Sequence, residues 1–223
     1  MKALARNNNK LLTLRKKRSL ISYTSPNSLI SEQYRTLRTN IQFASVDQTN
    51  RTFIITSPGH NEGKTTTTVN LAISMAQQGE KVLLVDADIK NPMLHHAFKI
   101  NNNTGLTNVL VGQTELNDAI FQTEIGRLGV LPSGPTPPNP SELIGSKAMK
   151  ELMKKLLEEY DLIFFDCPPV LEATDTKILA NQCDSVLLVV KYGKTDKGSA
   201  LEANRVLNMC NAKLLGVILN EKK

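Results

Sequence analysis

Phe53-Ile54-Ile55-Thr56-Ser57-Pro58-Gly59-His60-Asn61-Glu62-Gly63-Lys64-Thr65 is the stretch that decides the fold. Strand-forming residues run into a turn punctuated by Pro and Gly, and a helical pattern, Lys64–Gln78, follows and is closed by Gly79. Strand, glycine loop and helix in that order make a P-loop, whose successive backbone N–H groups at the helix N-terminus converge on one cavity. Phosphate oxygens accept such N–H groups. The candidate nucleotide-binding residues are therefore His60, Asn61, Glu62, Gly63, Lys64, Thr65 and Thr66. Gly63 lets the backbone approach the phosphates, Lys64 reaches the β and γ phosphates of ATP, and the Thr65 hydroxyl ligates Mg²⁺. Pro58 stands where the strict pattern has its first glycine, and a Gly-Lys-Thr tripeptide alone is a weak signal.

Two more strand ends strengthen it. Val82–Val85 delivers Asp86-Ala87-Asp88, and Leu162–Phe165 delivers Asp166-Cys167-Pro168-Pro169. Ligands of open α/β sheets bind outside the carboxyl ends of the strands, so these acids are expected on the edge that holds the P-loop. Mg²⁺ is a hard cation that takes one or two carboxylates plus phosphate oxygens and water. Thr65, Asp88 and Asp166 form the candidate metal set; Lys64, Asp86 and Asp88 form the candidate catalytic set. Any one such Asp is more often a strand-end turn residue. A P-loop, an Asp-x-Asp and an Asp-x-Pro-Pro in one chain together point to a metal–nucleotide site.

Beyond these motifs, short apolar runs alternate with helical patterns. Arg127–Leu131, Asp161–Asp166, Asp184–Lys191 and Leu214–Asn220 read as strands, and 28–44, Ser141–Tyr160 and Lys197–Cys210 as helices. The helix after Ser28 carries an imperfect apolar face of Leu29, Ile30, Leu37, Ile41 and Phe43. Runs without alternation are buried on both faces, which predicts a doubly wound, mostly parallel sheet flanked by helices, of the P-loop NTPase type. Pro132–Pro140 reads as an ordered surface loop.

The 223 residues fit one such domain, 26–223, preceded by a basic flexible tail, 1–25. Residues 1–31 hold seven of the 27 basic residues and none of the 21 acidic ones, so the net charge of +6 belongs to the tail and the rest carries −1. The tail suits anionic lipid or an acidic partner, and a nucleic-acid role is not favoured. No apolar run approaches the ~20 residues that span a bilayer, and no secretory h-region opens the chain, so a cytoplasmic location is expected. Cys167, Cys183 and Cys210 form no Cys-x-x-Cys pair and read as reduced thiols.

With the three motifs in place, the sequence resembles the bacterial tyrosine kinases of capsule and exopolysaccharide biosynthesis over roughly residues 25–220. Ser31–Ile41 looks like the family's N-terminal helix, and its Glu32-x-x-Arg35-x-x-Arg38 matches the family's subunit-contact pattern; Pro137–Leu143 and Leu215–Asn220 also match. The resemblance implies transfer of the γ phosphoryl of ATP to tyrosine in protein substrates, with Asp86 as general base, Asp88 assisting the metal and Asn220 reading adenine. It further implies a ring-like homo-oligomer through Glu32, Arg35 and Arg38, where an intrahelical Glu–Arg pair is the plainer alternative. The Gram-positive branch depends on a transmembrane activator of the polysaccharide co-polymerase type, so recruitment to the inner face of the membrane is expected.

Departures from the family pattern are few. Lys90 replaces the usual Arg, Cys167 a usual Ser or Thr, and the phosphoacceptor tyrosine cluster has no counterpart, because Tyr23, Tyr34, Tyr160 and Tyr192 are scattered. His95 and His96 read as surface or interface residues. Two rival readings share the fold. A septum-positioning or partitioning ATPase switch carries an extra lysine early in its P-loop, and Thr56-Ser57-Pro58-Gly59 has none. The other is a nucleotide-binding scaffold with weak kinase activity.

Overall fold

The structure is a computed structural model that describes residues 20–44 and 50–221. Seven strands form one sheet: β1 (Thr52–Thr56), β2 (Val82–Asp86), β3 (Phe121–Gln122), β4 (Leu128–Leu131), β5 (Leu162–Asp166), β6 (Ser185–Lys191) and β7 (Leu214–Asn220). Their order across the sheet is β3-β4-β2-β5-β1-β6-β7, parallel throughout except for the antiparallel β3–β4 pair. β5 inserts between β1 and β2, so the chain leaves β1 towards one edge and later returns to cross towards the other. The crevice beside β1 is thus the topological switch point, where such sheets bind ligands.

β1, β2 and β4 are buried along their whole length, as their unbroken apolar runs predict. One face packs Ile54, Leu83, Val85, Ile163 and Phe165 against the helices α7 (Pro140–Ile144), α8 (Lys147–Glu159), α9 (Thr174–Ala180) and α10 (Lys197–Met209). The other packs Phe53, Ile55, Val82, Leu84 and Phe164 against α3 (Lys64–Ala76). Phe53 and Phe164 stack there at 5.1 Å between ring centroids.

α3 is buried nearly all round, because α1 (Ile21–Thr24) and α2 (Leu29–Ala44) cover its outer side. That explains its weak amphipathic pattern, since a helix enclosed on all sides has no polar face. α1 lies in the stretch read as a tail. Its Ser22 is buried, donating its N–H to Asn70 Oδ1 at 2.9 Å and accepting at its carbonyl from Gln77 Nε2. The basic residues of the tail, Lys2 to Arg18, lie outside the described residues.

Several elements differ from the sequence reading. Ser141–Tyr160 is two helices, not one: Ser146 caps α8 by accepting the Met149 N–H at 3.2 Å, so a local side-chain bond outcompetes continuation. Of the five residues read as the apolar face of α2, Ile41 is buried and Leu37 packs on the core, but Leu29, Ile30 and Phe43 are exposed. Short helices at Leu94–Phe98 (α4), Leu106–Leu110 (α5) and Leu116–Ala119 (α6), and the two-residue β3, had no clear periodic signal. No described helix is long and apolar enough to cross a membrane.

Candidate nucleotide and metal site

The P-loop forms at the end of β1. Gly63 takes φ +96° immediately before α3, a conformation that L side chains rarely adopt, and turns the chain into the helix. A Cβ there would also lie 2.0 Å from Asn220 Nδ2. Asn220, the last residue of β7, donates Nδ2 to the Glu62 carbonyl at 2.9 Å and accepts the Glu221 N–H at Oδ1. It therefore braces the loop from the far edge of the sheet through Nδ2, while Oδ1 takes only the N–H of the next residue.

Glu62 is a second brace. Its buried carboxylate accepts the Gly59 N–H at 3.1 Å and the Thr195 hydroxyl at 2.5 Å, so it closes the loop on itself and ties it to the turn after β6. The same Thr195 hydroxyl accepts the Lys191 N–H, and Lys194 Nζ donates to the His60 carbonyl. The exposed His60 ring pairs with Glu172 at 2.6 Å, and Asn61 and Thr66 are exposed along the loop and first turn. Asn61 takes positive φ, +58°, a conformation Asn tolerates better than most residues.

The acids converge as the strand-end argument predicts. Asp86 and Asp166 are register partners at the ends of β2 and β5. Asp166 is buried and accepts the Thr65 hydroxyl at 2.6 Å and the Thr68 hydroxyl at 3.2 Å. Burial pushes its carboxyl up to about 6, opposed by the Thr65 bond and the nearby Lys64 ammonium. Asp86 has no exposed surface; its Oδ2 accepts the Met93 and Leu94 N–H groups at 3.0 and 2.9 Å, which fixes the start of α4. Burial and then the Asp166 charge drive its carboxyl well above the usual range. Asp88, buried beside the cleft, accepts the Asn91 N–H at 3.1 Å; burial raises its carboxyl while Lys64 opposes the rise. Lys64 is buried beside both charges.

This cluster fits a divalent cation. Asp86 Oδ1 is a buried oxygen without a hydrogen-bond partner, and an orphaned carboxylate oxygen there is costly unless a cation or its water reaches it. The ligands on offer are all oxygens, as Mg²⁺ prefers. Among the described residues no group of three or more His, Cys, Asp or Glu could hold an ion unaided, so phosphate oxygens and water would have to complete the shell.

The loop at Asp166 is itself held: Thr56 and Thr176 both donate to the Pro168 carbonyl, at 2.7 and 2.8 Å. Thr68, Thr195, Lys194 and Glu172 were not legible as site residues. They meet the loop across gaps in sequence of up to about 130 residues, and only Thr68, one turn beyond Thr65, carried a helical-spacing signal. Lys90 is exposed, and the His95 and His96 rings lie 3.9 Å apart, tilted by 40° to each other, without joining the acid cluster. Arg35 pairs with Glu32 at 2.5 Å and donates to the Pro26 carbonyl, while Arg38 reaches the Ser74 carbonyl of α3 at 2.7 Å.

A mostly parallel sheet with a strand–loop–helix phosphate cradle at its switch point, and carboxylates at the ends of β5 and β2, defines a P-loop nucleotide-binding protein. Residues 59–205 match the family model described as an AAA domain. Tyrosine-protein kinase YwqD of Bacillus subtilis is 49% identical over 209 residues, covering 94% of this chain and 88% of that one. The crystal structure of the chimerical protein CapA2B2 superposes with a TM-score of 0.89 at 41% identity, over 92% of this chain and 90% of the other. The kinase domain of the Escherichia coli tyrosine kinase ETK follows at 0.87 and 32%, over 90% and 79%. The septum site-determining protein MinD of Pyrococcus horikoshii, solved with Mg-ADP, reaches 0.65 at 29%, over 76% and 69%. The chain belongs to the bacterial tyrosine-protein kinases; the MinD-type ATPases share its fold at greater distance.

Proposed function

We propose that this protein transfers the γ phosphoryl of ATP to tyrosine side chains and thereby regulates exopolysaccharide or capsule synthesis. The observation that carries the reading is the Asp86–Asp166 register pair facing a P-loop whose Thr65 hydroxyl is already bonded to Asp166. Thr65, Asp88 and Asp166 would hold Mg²⁺, which neutralises phosphate charge when bound. Lys64, buried between the acids and the loop, stabilises charge on the phosphoryl oxygens, and the loop N–H groups orient them. Asp86, with its raised carboxyl and one unpartnered oxygen, is suited to taking the phenolic proton, with Asp88 beside it. Asn220 is assigned to the adenine end of the site as well as to the brace.

A transmembrane activator of the polysaccharide co-polymerase type is the expected partner, which would bring the protein to the inner face of the membrane. Glu32, Arg35 and Arg38 are assigned to a ring-like homo-oligomer. The exposed Leu29 and Ile30 beside them support a second copy on this face. Incubation with labelled ATP–Mg²⁺, an activator tail and a tyrosine peptide tests the kinase reading: phosphotyrosine should form and vanish in Lys64→Met and Asp86→Ala. Phosphate release without phosphotyrosine would instead identify an ATPase switch.

A further inference from the structure

One ion pair joins the phosphate loop to the connection that follows β5. His60 belongs to the loop, and Glu172 to residues 167–173 between β5 and α9. Their side chains meet at 2.6 Å between Nε2 and Oε2, with 54% and 48% of their surface exposed. A carboxylate only accepts, so Nε2 carries the proton in this contact. Glu172 also lies against the loop itself, since a Cβ added at Gly59 would stand 3.9 Å from Glu172 Oε1.

The backbones under the pair are anchored, while the two side chains stand half in solvent. Val170 N–H donates to the Ser57 carbonyl at 2.9 Å, and the Glu172 and Ala173 N–H groups both return to the Pro169 carbonyl, at 3.1 and 3.0 Å. The His60 carbonyl takes Lys194 Nζ. The His60 ring is also close to the acids: burial raises the Asp88 carboxyl, and Lys64 and, more weakly, His60 act against the rise. His60 and Lys64 therefore border the same volume, the one in which a P-loop lysine meets the β and γ phosphates.

We propose that the His60 side chain senses the γ phosphate: Glu172 holds its Nε2–H until ATP binds, and a γ-phosphate oxygen then takes that N–H over. The inference rests on the nucleotide reading of the site given above. A half-exposed pair contributes little on its own, so it keeps the ring in place yet yields to a phosphate dianion, the stronger acceptor. ADP ends at the β phosphate, which Lys64 and the loop N–H groups already engage, and offers His60 no such acceptor. His60 thus favours the phosphoryl donor over the product. Glu172 opposes it twice, by holding the N–H and by setting a like charge near the γ phosphate.

The test is calorimetric titration of the full chain, in Mg²⁺, with ADP and with the β,γ-imido analogue of ATP. His60→Ala should weaken the analogue by about five- to twentyfold, the worth of one partly screened charge-assisted hydrogen bond, and leave ADP within about twofold. Glu172→Gln should act the opposite way, tightening the analogue by about two- to fivefold with ADP again unchanged. In the double variant that gain should vanish, because the donor is gone. Equal losses for both nucleotides in His60→Ala would show that the ring only shapes the loop, and no loss for either would leave it without a role at the phosphates. Each of those results overturns the sensor, as does an analogue-to-ADP ratio in Glu172→Gln equal to that of wild type. A gain that survives in the double variant also overturns it, since removal of the Glu172 charge would then suffice. All of these leave the nucleotide reading standing; a wild-type chain that binds neither nucleotide sinks both.

Discussion

The two sides of the phosphate loop are built differently. On one side stand Asp86, Asp88 and Asp166, delivered by the ends of β2 and β5 from the middle of the sheet and buried. On the other stand Asn220, Thr195 and Lys194, delivered by the edge strand β7 and the exposed turn after β6. The acid side is rigid because its strands are paired on both edges and covered on both faces. The brace side rests on single side-chain hydrogen bonds from half-exposed segments. On the proposed function the chemistry falls on the flank paired on both edges, and the flank held by single side-chain bonds is the one that closes the loop. This division of labour predicts that changes on the acid side abolish turnover, while changes on the brace side tune nucleotide affinity.

The largest effect should come from Lys64→Met. Removing a charge aimed at the transferring phosphoryl group lowers kcat by about 10²–10³-fold or more, measured with a tyrosine peptide. A loss under tenfold would place the catalytic charge elsewhere. Asp166→Asn should weaken the Mg²⁺ dependence of nucleotide binding by about 10–100-fold while leaving the fold intact, read by titrating Mg²⁺ at fixed nucleotide.

Gly63→Ala attacks the join between the two sides. Its positive φ and the close approach of Asn220 together should cost about 1–3 kcal/mol of stability, read from denaturant unfolding. Adding Asn220→Ala removes the clash but not the backbone strain, so the double variant should recover only part of the loss. Full recovery would show that the φ angle is unimportant. On the brace side alone, Thr195→Val should weaken nucleotide binding by only about three- to tenfold, the worth of one hydrogen bond. It should leave kcat nearly unchanged at saturating ATP.

The smallest and most diagnostic effect is in pH. Asp166 has its carboxyl raised to about 6, so between roughly pH 4 and 6 the folded state without metal binds more protons than the unfolded state. Stability of the metal-free protein should therefore fall as pH rises through that window, and Asp86, whose carboxyl burial also raises, acts in the same direction. The slope of Tm against pH should flatten in Asp166→Asn. Nucleotide–Mg²⁺ binding, which needs ionised acids, should run the other way and weaken as pH drops below about 6.

How much could be read in advance follows the same division. The central strands announce themselves as unbroken apolar runs, and the P-loop and both acidic strand ends appear as contiguous motifs. The break at Gly145-Ser146 was written locally but obscured by apolar periodicity on both sides of it. On α2, periodicity overstated burial: Leu29 and Phe43 have helical spacing yet no described element over them, because covering a face requires a neighbour that the helix itself does not encode.

The sequence by itself determined the class of sheet, the phosphate cradle and the identity of its acids. Burial on both faces leaves a compositional signature, and the loop and acidic ends occupy a few consecutive residues. Only the tertiary structure decided that Asn220 and Glu62 brace the loop, that Thr68 shares Asp166, and that Asp86 keeps one unpartnered oxygen while Tyr192 stands exposed beside the nucleotide edge. Those relations join residues on different elements, most of them more than a hundred positions apart. Such distances are set by strand order and register, which no single stretch of sequence specifies.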